Sequence, residues 1–218
     1  MSELRDPEEV FATDPGWLSA LERTDLLAGP VAAALRELAA SDAGTTSAGS
    51  STGSHPREDE DAGTTRADLA RQARVVPIDP ALSDTDVLNA RYLLDPHATG
   101  NCVLVAGKRQ GEERAAACVV RATDLADVNH VVKRRLDVRK ASFLPMDRAT
   151  DLSGMAYGGI TPVGLPSHWR LLIDAVVASR PTVLIGSGLR GSKLLVPGAL
   201  LAALPGAEVV EGLGVPTT

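Results

Sequence analysis

The feature that most constrains this chain is a stretch over residues 42–66 that contains no valine, isoleucine, leucine, methionine or aromatic residue. Its small, polar and charged residues offer too little apolar surface to offset the entropy that would be lost on ordering. We therefore predict a disordered insertion over 42–66, with folded segments on both sides of it.

The two flanking segments differ in texture. Before the insertion, the Ala/Leu-rich sequence 29–40 has a proline in its first turn and predicts a helix. Residues 15–27 predict a second, shorter helix. After the insertion, short runs rich in valine, isoleucine and leucine are separated by turn residues, which is typical of strands.

The predicted strands are 74–78, 102–106, 115–121, 171–177, 182–185, 193–196 and 208–210. The predicted helices are 84–94, 124–136, 147–154 and 197–204. Residues 107–114, with two glycines, are expected to join two strands as a hairpin loop. Because helices and strands alternate without a regular βαβ rhythm, we predict an α+β domain around a mixed sheet.

Composition excludes several classes of protein. The 218 residues are 44% hydrophobic but include only six aromatic residues, so the core must be aliphatic. The first ten residues are acidic and lack the apolar region of a signal peptide, and no apolar run approaches the roughly 18 residues of a membrane helix. Two cysteines without a CxxC or Cys/His cluster make a disulfide scaffold or a zinc site improbable on sequence grounds. We expect a soluble, cytoplasmic protein without a metal or cofactor.

Positive charge is concentrated in the middle of an acidic chain. The net charge is −6, whereas residues 107–148 carry 10 basic and 6 acidic residues, a net of +4. Five of the basic side chains lie within eight positions: Lys133, Arg134, Arg135, Arg139 and Lys140. Such a cluster is either a contact for a nucleic-acid backbone or simply a solvated face.

Two glycine-rich turns, residues 158–166 and 186–191, are the strongest local signals for a site. Glycine lets a backbone approach a ligand closely and direct its N–H groups at an oxygen, so two facing turns would line a small pocket with oxyanion donors. The alternative is that both are structural turns only. The second turn lacks the order of a Walker A motif, and a strand follows it rather than the helix of a dinucleotide-binding fingerprint.

Residues 73–212, about two thirds of the chain, resemble the YbaK/EbsC family of free-standing aminoacyl-tRNA editing proteins, which are related to the insertion domain of prolyl-tRNA synthetase. The stretches that carry the resemblance are CVLVAG (102–107), DVNHVVKRRLDVRKASF (127–143), GMAYGGITPVGLP (154–166), LLIDAVV (171–177), IGSGLRGSKLLV (185–196) and PGALLAALPGAEVVE (197–211). The family's GxxxP loop corresponds to 158–162. The resemblance implies an N-terminal extension (1–28) and an editing domain (29–218) into which 42–66 is inserted.

The resemblance also implies a fold and an activity. The fold is a mixed, strongly curved, barrel-like sheet with helices packed around it and a pocket beside the GxxxP loop. The activity is hydrolysis of the ester that joins a wrong, small amino acid such as Ala or Cys to the 3′ end of a tRNA, often proline tRNA. A synthetase needs such a second sieve because one methylene changes binding by only about 1–3 kcal/mol.

One departure from the family concerns the residue before Cys102. The family places there a lysine that is central to editing, and this chain has Asn101. Asparagine can orient an oxygen but brings neither a positive charge nor a proton. Lys108, Lys140 and Lys193 are the lysines that could supply a cation from elsewhere.

The resemblance gives each candidate residue a role. Asn101 is the catalytic candidate and would contact the terminal ribose or the carbonyl. The residues expected to shape the amino-acid pocket are Gly158, Gly159, Thr161 and Pro162. Those expected to offer backbone donors are Gly186, Ser187 and Gly188. Asp174 matches a family aspartate that would fix loops by hydrogen bonds; the alternative for it is a carboxylate facing solvent.

Three functions follow as hypotheses. The first is a trans-editing deacylase, with the aminoacylated 3′ end of tRNA as its partner and a synthetase as a second partner. The second is a non-catalytic module that binds tRNA ends or aminoacyl groups, which the replacement of lysine by Asn101 would explain. The third is a hydrolase of a small aminoacyl or thioester metabolite that has no need of the basic cluster.

Overall fold

The computed structural model describes residues 3–13, 16–41 and 64–217. The insertion predicted over 42–66 therefore lies outside the described residues, apart from its last three positions. Of those, Thr65 caps the helix that follows: its hydroxyl accepts from the Asp68 backbone N–H at 3.1 Å, and the Asp68 carboxylate accepts from the Thr65 N–H in return.

Helices and strands alternate along the described chain. The α-helices are α1 (Pro7–Val10), α2 (Gly29–Ala40), α3 (Arg66–Arg71), α4 (Thr85–Tyr92), α5 (Lys133–Leu136), α6 (Met146–Ser153), α7 (Ala175–Ala178) and α8 (Gly198–Ala203). The strands are β1 (Leu18–Ser19), β2 (Arg74–Pro77), β3 (Gly100–Arg109), β4 (Glu112–Arg121), β5 (Asp124–Ala126), β6 (Ala141–Phe143), β7 (Arg170–Asp174), β8 (Val183–Gly186), β9 (Ser192–Val196), β10 (Ala207–Val210) and β11 (Gly214–Pro216).

The strands form two larger sheets and one small one. The four-stranded sheet has the order β1-β2-β9-β8 and is antiparallel throughout. The five-stranded sheet has the order β10-β7-β4-β3-β6, in which β10, β7 and β4 run parallel and β3 and β6 are antiparallel to their neighbours. Strands β11 and β5 pair separately. This arrangement confirms the predicted mixed α+β fold.

The expected strongly curved, barrel-like sheet is not supported. Within the described residues no sheet is closed, and the two larger sheets meet at an isolated bridge between Thr99 and Leu184. From Gly100 onwards β3 pairs with β4, so the ladder towards β8 does not continue. The architecture is better described as two open sheets that adjoin where β3 begins.

The core is aliphatic, as the composition predicts. The largest cluster of buried side chains includes Val31, Leu35 and Leu38 from α2, and these pack against strand residues such as Ile173 and Leu194 of the two larger sheets. Removing each such side chain from water contributes about 1.5–3 kcal/mol. The 29–40 helix is found at its predicted bounds, with this apolar face turned inward.

Residues before α2 also contribute to the packing. Strand β1 extends the four-stranded sheet at β2, and Phe11 is buried in a smaller cluster with Val76 and Leu195. The Phe11 ring packs edge-on against Trp17 at a centroid distance of 5.6 Å. The helix predicted over 15–27 is wrong for the described residues 16–27, which hold β1, paired with β2 at the edge of the sheet, and a short 3₁₀ turn (Thr24–Leu26).

The predicted hairpin is confirmed, with a much shorter loop than 107–114. Strands β3 and β4 pair along ten residues each and leave Gln110 and Gly111 as the turn. Both turn residues have positive φ, 51° and 89°, the geometry that suits the twist of a two-residue hairpin.

Two other elements depart from the prediction. The helix predicted over 124–136 begins instead as β5, followed by one π-helical turn (Val128–Val132) and then α5. The strand predicted over 171–177 ends at Asp174 because this side chain accepts from the Val176 N–H at 2.9 Å and starts α7.

Asp174 holds the start of α7 and β11 together by hydrogen bonds, which agrees with the role suggested by the family resemblance. It is only 3% exposed, and its other carboxylate oxygen accepts from the Gly214 N–H of β11 at 2.8 Å. The alternative of a carboxylate facing solvent is therefore wrong.

We expect Asp174→Ala to lower the free energy of unfolding by about 2–4 kcal/mol, because it removes a buried carboxylate that accepts from two backbone N–H groups and ties α7 to β11. Asp79 is the matched control, since it makes the same type of cap to the Ala81 N–H at 2.9 Å but is exposed. Asp79→Ala should cost less than about 1 kcal/mol. Urea denaturation of both variants checks this, and equal losses would contradict it.

Candidate functional site

A cavity of about 260 Å³ lies where the two larger sheets adjoin. It is lined by Asp84, Thr85, Asp86, Gly100, Asn101, Cys102, Val103, Tyr157, Gly158, Ile160, Gly186 and Lys193. The volume lies below the roughly 300–1,000 Å³ of pockets for drug-sized ligands, so it suits a small group and its immediate attachment.

The two glycine-rich turns face each other at this cavity. Gly188 N–H donates to the Gly159 carbonyl oxygen at 2.7 Å, and Ala156 N–H donates to the Gly188 carbonyl oxygen at 2.9 Å. A Cβ atom on Gly186 would overlap the Gly159 carbonyl oxygen. Glycine at 186 is therefore required for the close contact that forms this wall of the cavity.

Three of the predicted site residues line the cavity: Asn101, Gly158 and Gly186. The Asn101 amide is oriented by Thr85, whose hydroxyl donates to the amide oxygen of Asn101 at 2.7 Å. The amide nitrogen of Asn101, with two N–H groups, is then the end that can donate to a ligand oxygen.

The other predicted pocket residues do not line the cavity: Gly159, Thr161, Pro162, Asp174, Ser187 and Gly188. Thr161 is fully buried, and Pro162 borders a separate groove beside Trp169. The Ser187 hydroxyl lies 2.7 Å from that of Ser192, inside the second turn. Because the Gly188 N–H is already bound to Gly159, it is not free to serve as an oxyanion donor.

Lys193 also lines the cavity, although the sequence predicted it only as one of three lysines that could supply a cation. It is 4% exposed and donates from Nζ to the Ser83 carbonyl oxygen at 2.6 Å. Burial lowers the pKa of Lys193 to about 8, although the nearby Asp84 carboxylate acts in the opposite direction. The side chain is therefore mostly protonated at neutral pH.

The position of Lys193 follows from the register of β9. Leu195, two residues along, faces the smaller apolar cluster, while Leu194 faces the main core, so Lys193 lies on the Leu195 side of the sheet. Its partner on β8 is Gly186, which has no side chain on that face. The signal available in the sequence was a lysine inside a buried apolar strand, where this residue type is rare.

Arg190 ties the first glycine turn to the segment before α4. Its guanidinium donates to the Tyr157 carbonyl oxygen at 3.0 Å and to the Pro80 carbonyl oxygen at 3.2 Å. The same guanidinium and the Asp84 carboxylate both lie close to the position that a Cβ atom on Gly158 would occupy. Charges of both signs therefore lie beside Gly158, which lines the cavity.

The thiols are poor nucleophiles in this setting. Cys118 is fully buried, and burial raises its pKa to about 12. Cys102 lies half-buried on the cavity wall, and burial likewise raises its pKa. Since the thiolate is the reactive form, a covalent mechanism through Cys102 is disfavoured at neutral pH.

The five basic residues do not form one patch. Lys133 and Arg134 border a surface groove with His130, whereas Arg139 and Lys140 border a second groove along β6 that shares no lining residue with the first. Arg135 is paired with Glu208. The second groove also contains Phe143, which is 55% exposed.

Two absences hold for the part of the chain that the structure describes. No three His, Cys, Asp or Glu side chains there come close enough together to hold a metal ion. None of the helices in those ranges has the length and apolar character needed to cross a membrane.

We expect Gly186→Ala to lower the melting temperature by several degrees, because the added methyl group must push Gly159 away. Gly191→Ala is the matched control in the same turn: its φ is not in the left-handed region, and its Cβ would meet only the Pro80 side chain, at 3.8 Å. Thermal unfolding followed by circular dichroism checks this. Similar melting temperatures for the two variants would contradict the required close contact.

Comparison with solved structures supports the fold. A hypothetical protein, APE2540, superposes with a TM-score of 0.58 at 20% identity, covering 66% of this chain and 92% of its own. A protein described as a putative trans-editing enzyme for prolyl tRNA synthetase superposes with a TM-score of 0.56 at 18% identity, covering 65% of this chain and 87% of its own.

Comparison with protein families goes further than the fold. The model of the aminoacyl-tRNA editing domain matches residues 79–204, more than half of the chain. The matched range contains α4, the β3–β4 hairpin, both glycine turns and β9, and with them every residue that lines the cavity. The chain is therefore a member of the aminoacyl-tRNA editing domain family.

Proposed function

We propose that this protein removes a wrongly attached small amino acid from a tRNA in trans, by hydrolysing the aminoacyl ester in the cavity described above. The observation that carries the proposal is the shared cavity of the two glycine turns, with the oriented amide of Asn101 on its wall. Membership of the editing-domain family supports the reaction class.

The chemistry requires positioning more than a strong nucleophile. Water adds to the ester carbonyl, the bond from the carbonyl carbon to the ribose oxygen breaks, and the products are a free amino acid and a tRNA with a free terminal hydroxyl. Donors aimed at the carbonyl oxygen lower the barrier as negative charge develops there. The amide nitrogen of Asn101 is one such donor.

The lining of the cavity favours a small, apolar side chain in this proposal. The side chains of Ile160 and Val103 form part of its wall. At Gly158 and Gly186 the wall is backbone without a side chain. This fits an amino acid such as Ala or Cys. Proline tRNA is the proposed carrier because a structural neighbour is described as a trans-editing enzyme for prolyl tRNA synthetase, and that synthetase is the proposed second partner.

The tRNA body is expected to lie on basic side chains outside the cavity. Arg134, Arg139 and Lys140 are exposed, and Lys133 is half-buried at the edge of its groove. Arg135 is a weaker candidate because Glu208 already neutralises it. Such contacts position the nucleic acid and make affinity depend on salt. Because its substrate would be a tRNA, we propose that the protein acts in the cytoplasm.

A binding module without turnover is the second candidate function. Asn101 is neutral, and its amide oxygen already accepts from Thr85, so the residue offers hydrogen bonds but no charge. A protein of this kind would hold an aminoacylated tRNA end in the same cavity. It would show salt-dependent binding of charged tRNA without release of the amino acid.

We expect the purified protein to release Ala or Cys from mischarged proline tRNA faster than the spontaneous rate, and to leave correctly charged prolyl-tRNA intact. The proposed basis is shape rather than volume: the ring of proline ties its side chain to the α-nitrogen, so it would not lie against Val103 and Ile160 as the side chain of Ala or Cys would. Release of labelled amino acid over time measures this. Salt-dependent binding of Ala-, Cys- or Ser-charged tRNA without release of the amino acid would contradict the deacylase and support the binding module.

We expect reversal of charge in Arg139→Glu/Lys140→Glu, or in Lys133→Glu/Arg134→Glu, to raise KM for charged tRNA by roughly tenfold at physiological salt and to reduce its salt dependence. Arg36→Glu, an exposed arginine on α2 outside this segment, is the control and should leave KM unchanged. If neither double variant alters KM, the basic residues belong to a solvated face.

A further inference from the structure

We propose that Lys193 supplies, from β9, the positive charge that contacts the carbonyl oxygen of the scissile ester, a charge that the neutral Asn101 amide on the same cavity wall does not provide. The proposal rests on the function proposed above. It follows from one juxtaposition: Lys193 and Asn101 belong to different sheets but line the same cavity.

The lysine is placed by the fold rather than by a flexible loop. Strand β9 lies between β2 and β8, and Lys193 pairs with Val76 on one side and Gly186 on the other. Its Nζ donates to the Ser83 carbonyl oxygen at 2.6 Å. An ammonium group has three donors, so this bond fixes its direction and leaves further N–H groups for a ligand in the cavity.

The surroundings of Lys193 are those of a functional cation rather than a structural one. Among the described residues, no carboxylate lies within 4 Å of its Nζ. A buried charge without a direct ion pair is costly even where, as here, one hydrogen bond and a more distant carboxylate offset part of the cost, and a fold without use for it would place an apolar residue there. The other lysines, Lys108, Lys133 and Lys140, lie at or near the surface.

In the reaction, the ammonium of Lys193 would stay protonated throughout. As water adds to the carbonyl carbon, the carbonyl oxygen becomes negative and takes a charge-assisted hydrogen bond from Nζ. When the tetrahedral intermediate collapses, the ribose oxygen leaves with a proton that derives from the attacking water. Lys193 therefore stabilises charge and neither gains nor loses a proton overall.

The protonation state of Lys193 gives a test on the unmodified protein. Asp84, Asp86, Arg190 and Tyr157 are the charged or titratable groups that face this part of the cavity, besides the Cys102 thiol. Burial brings the pKa of Lys193 down to about 8. Because the protonated form is the active one, kcat/KM above the spontaneous rate should fall as the pH rises through about 8.

The main experiment compares Lys193→Gln with the wild type on mischarged tRNA. Glutamine keeps a donor for the Ser83 carbonyl oxygen but removes the charge, and we expect kcat/KM to fall at least about 100-fold. Lys193→Arg should retain more activity than Lys193→Gln. Arg36→Gln, which removes an exposed positive charge on α2 outside the cavity and the basic segment, should behave as the wild type on the same mischarged tRNA.

Relocation of the charge is the sharper test. In Asn101→Lys/Lys193→Gln the cation moves from β9 to β3 on the wall of the same cavity, and activity should recover at least about tenfold over Lys193→Gln. Circular dichroism must show that each variant is folded. Activity of Lys193→Gln within about threefold of the wild type, or a wild-type kcat/KM that does not decline through pH 8, would overturn the role of Lys193.

Failure of the proposed function is distinguishable from failure of this inference. If the wild type releases no amino acid, the deacylase is excluded, and Lys193 is then judged by calorimetric binding of an amide-linked 3′-alanyl adenosine analogue. Binding weakened at least tenfold in Lys193→Gln supports its contact with the carbonyl. Equal binding excludes that contact.

Discussion

The close backbone contact between the two glycine turns is the constraint on which the site depends. Gly186 and Gly159 approach more closely than any side chain would allow, and the hydrogen bond from Gly188 to Gly159 holds the turns together. This contact forms one wall of the cavity. Gly186 is also the β8 partner of Lys193 on β9. Because Gly186 has no side chain, the Lys193 side chain has room to reach the cavity that Asn101 lines from the other sheet. The site is thus a product of how the two sheets adjoin.

Local patterns in the sequence predicted most of the elements. The helix 29–40 and the strands of the central sheets follow from apolar runs with clear turn signals, so their bounds agree with the structure to within a few residues. The failures lie where a single side chain overrides the pattern. Asp174 ends an apolar run and starts a helix, and the segment 15–27 is drawn into a sheet edge that only the whole fold supplies.

The site was predictable in part. The two turns and Asn101 were found because glycine clusters and one departure from a family pattern are visible in a single sequence. Which of those residues face the cavity could not be read, since Thr161, Ser187 and Gly188 are turned into the packing by contacts between turns. The role of Lys193 could not be predicted either. It lines the same cavity as Asn101 only because two sheets, built from strands distant in sequence, lie next to each other.

The family match begins at residue 79, just after β2, and this boundary has a structural consequence. Strand β2 is one of the two neighbours of β9, and β1 and Phe11 cover it in turn. A polypeptide trimmed to the matched range would leave the lysine-bearing strand with one side unpaired, and an unpaired strand edge invites association with other chains. Residues before the matched range therefore form part of the sheet that carries Lys193. A protein shortened to residues 79–204 would expose the edge of β9 that β2 covers in the full chain.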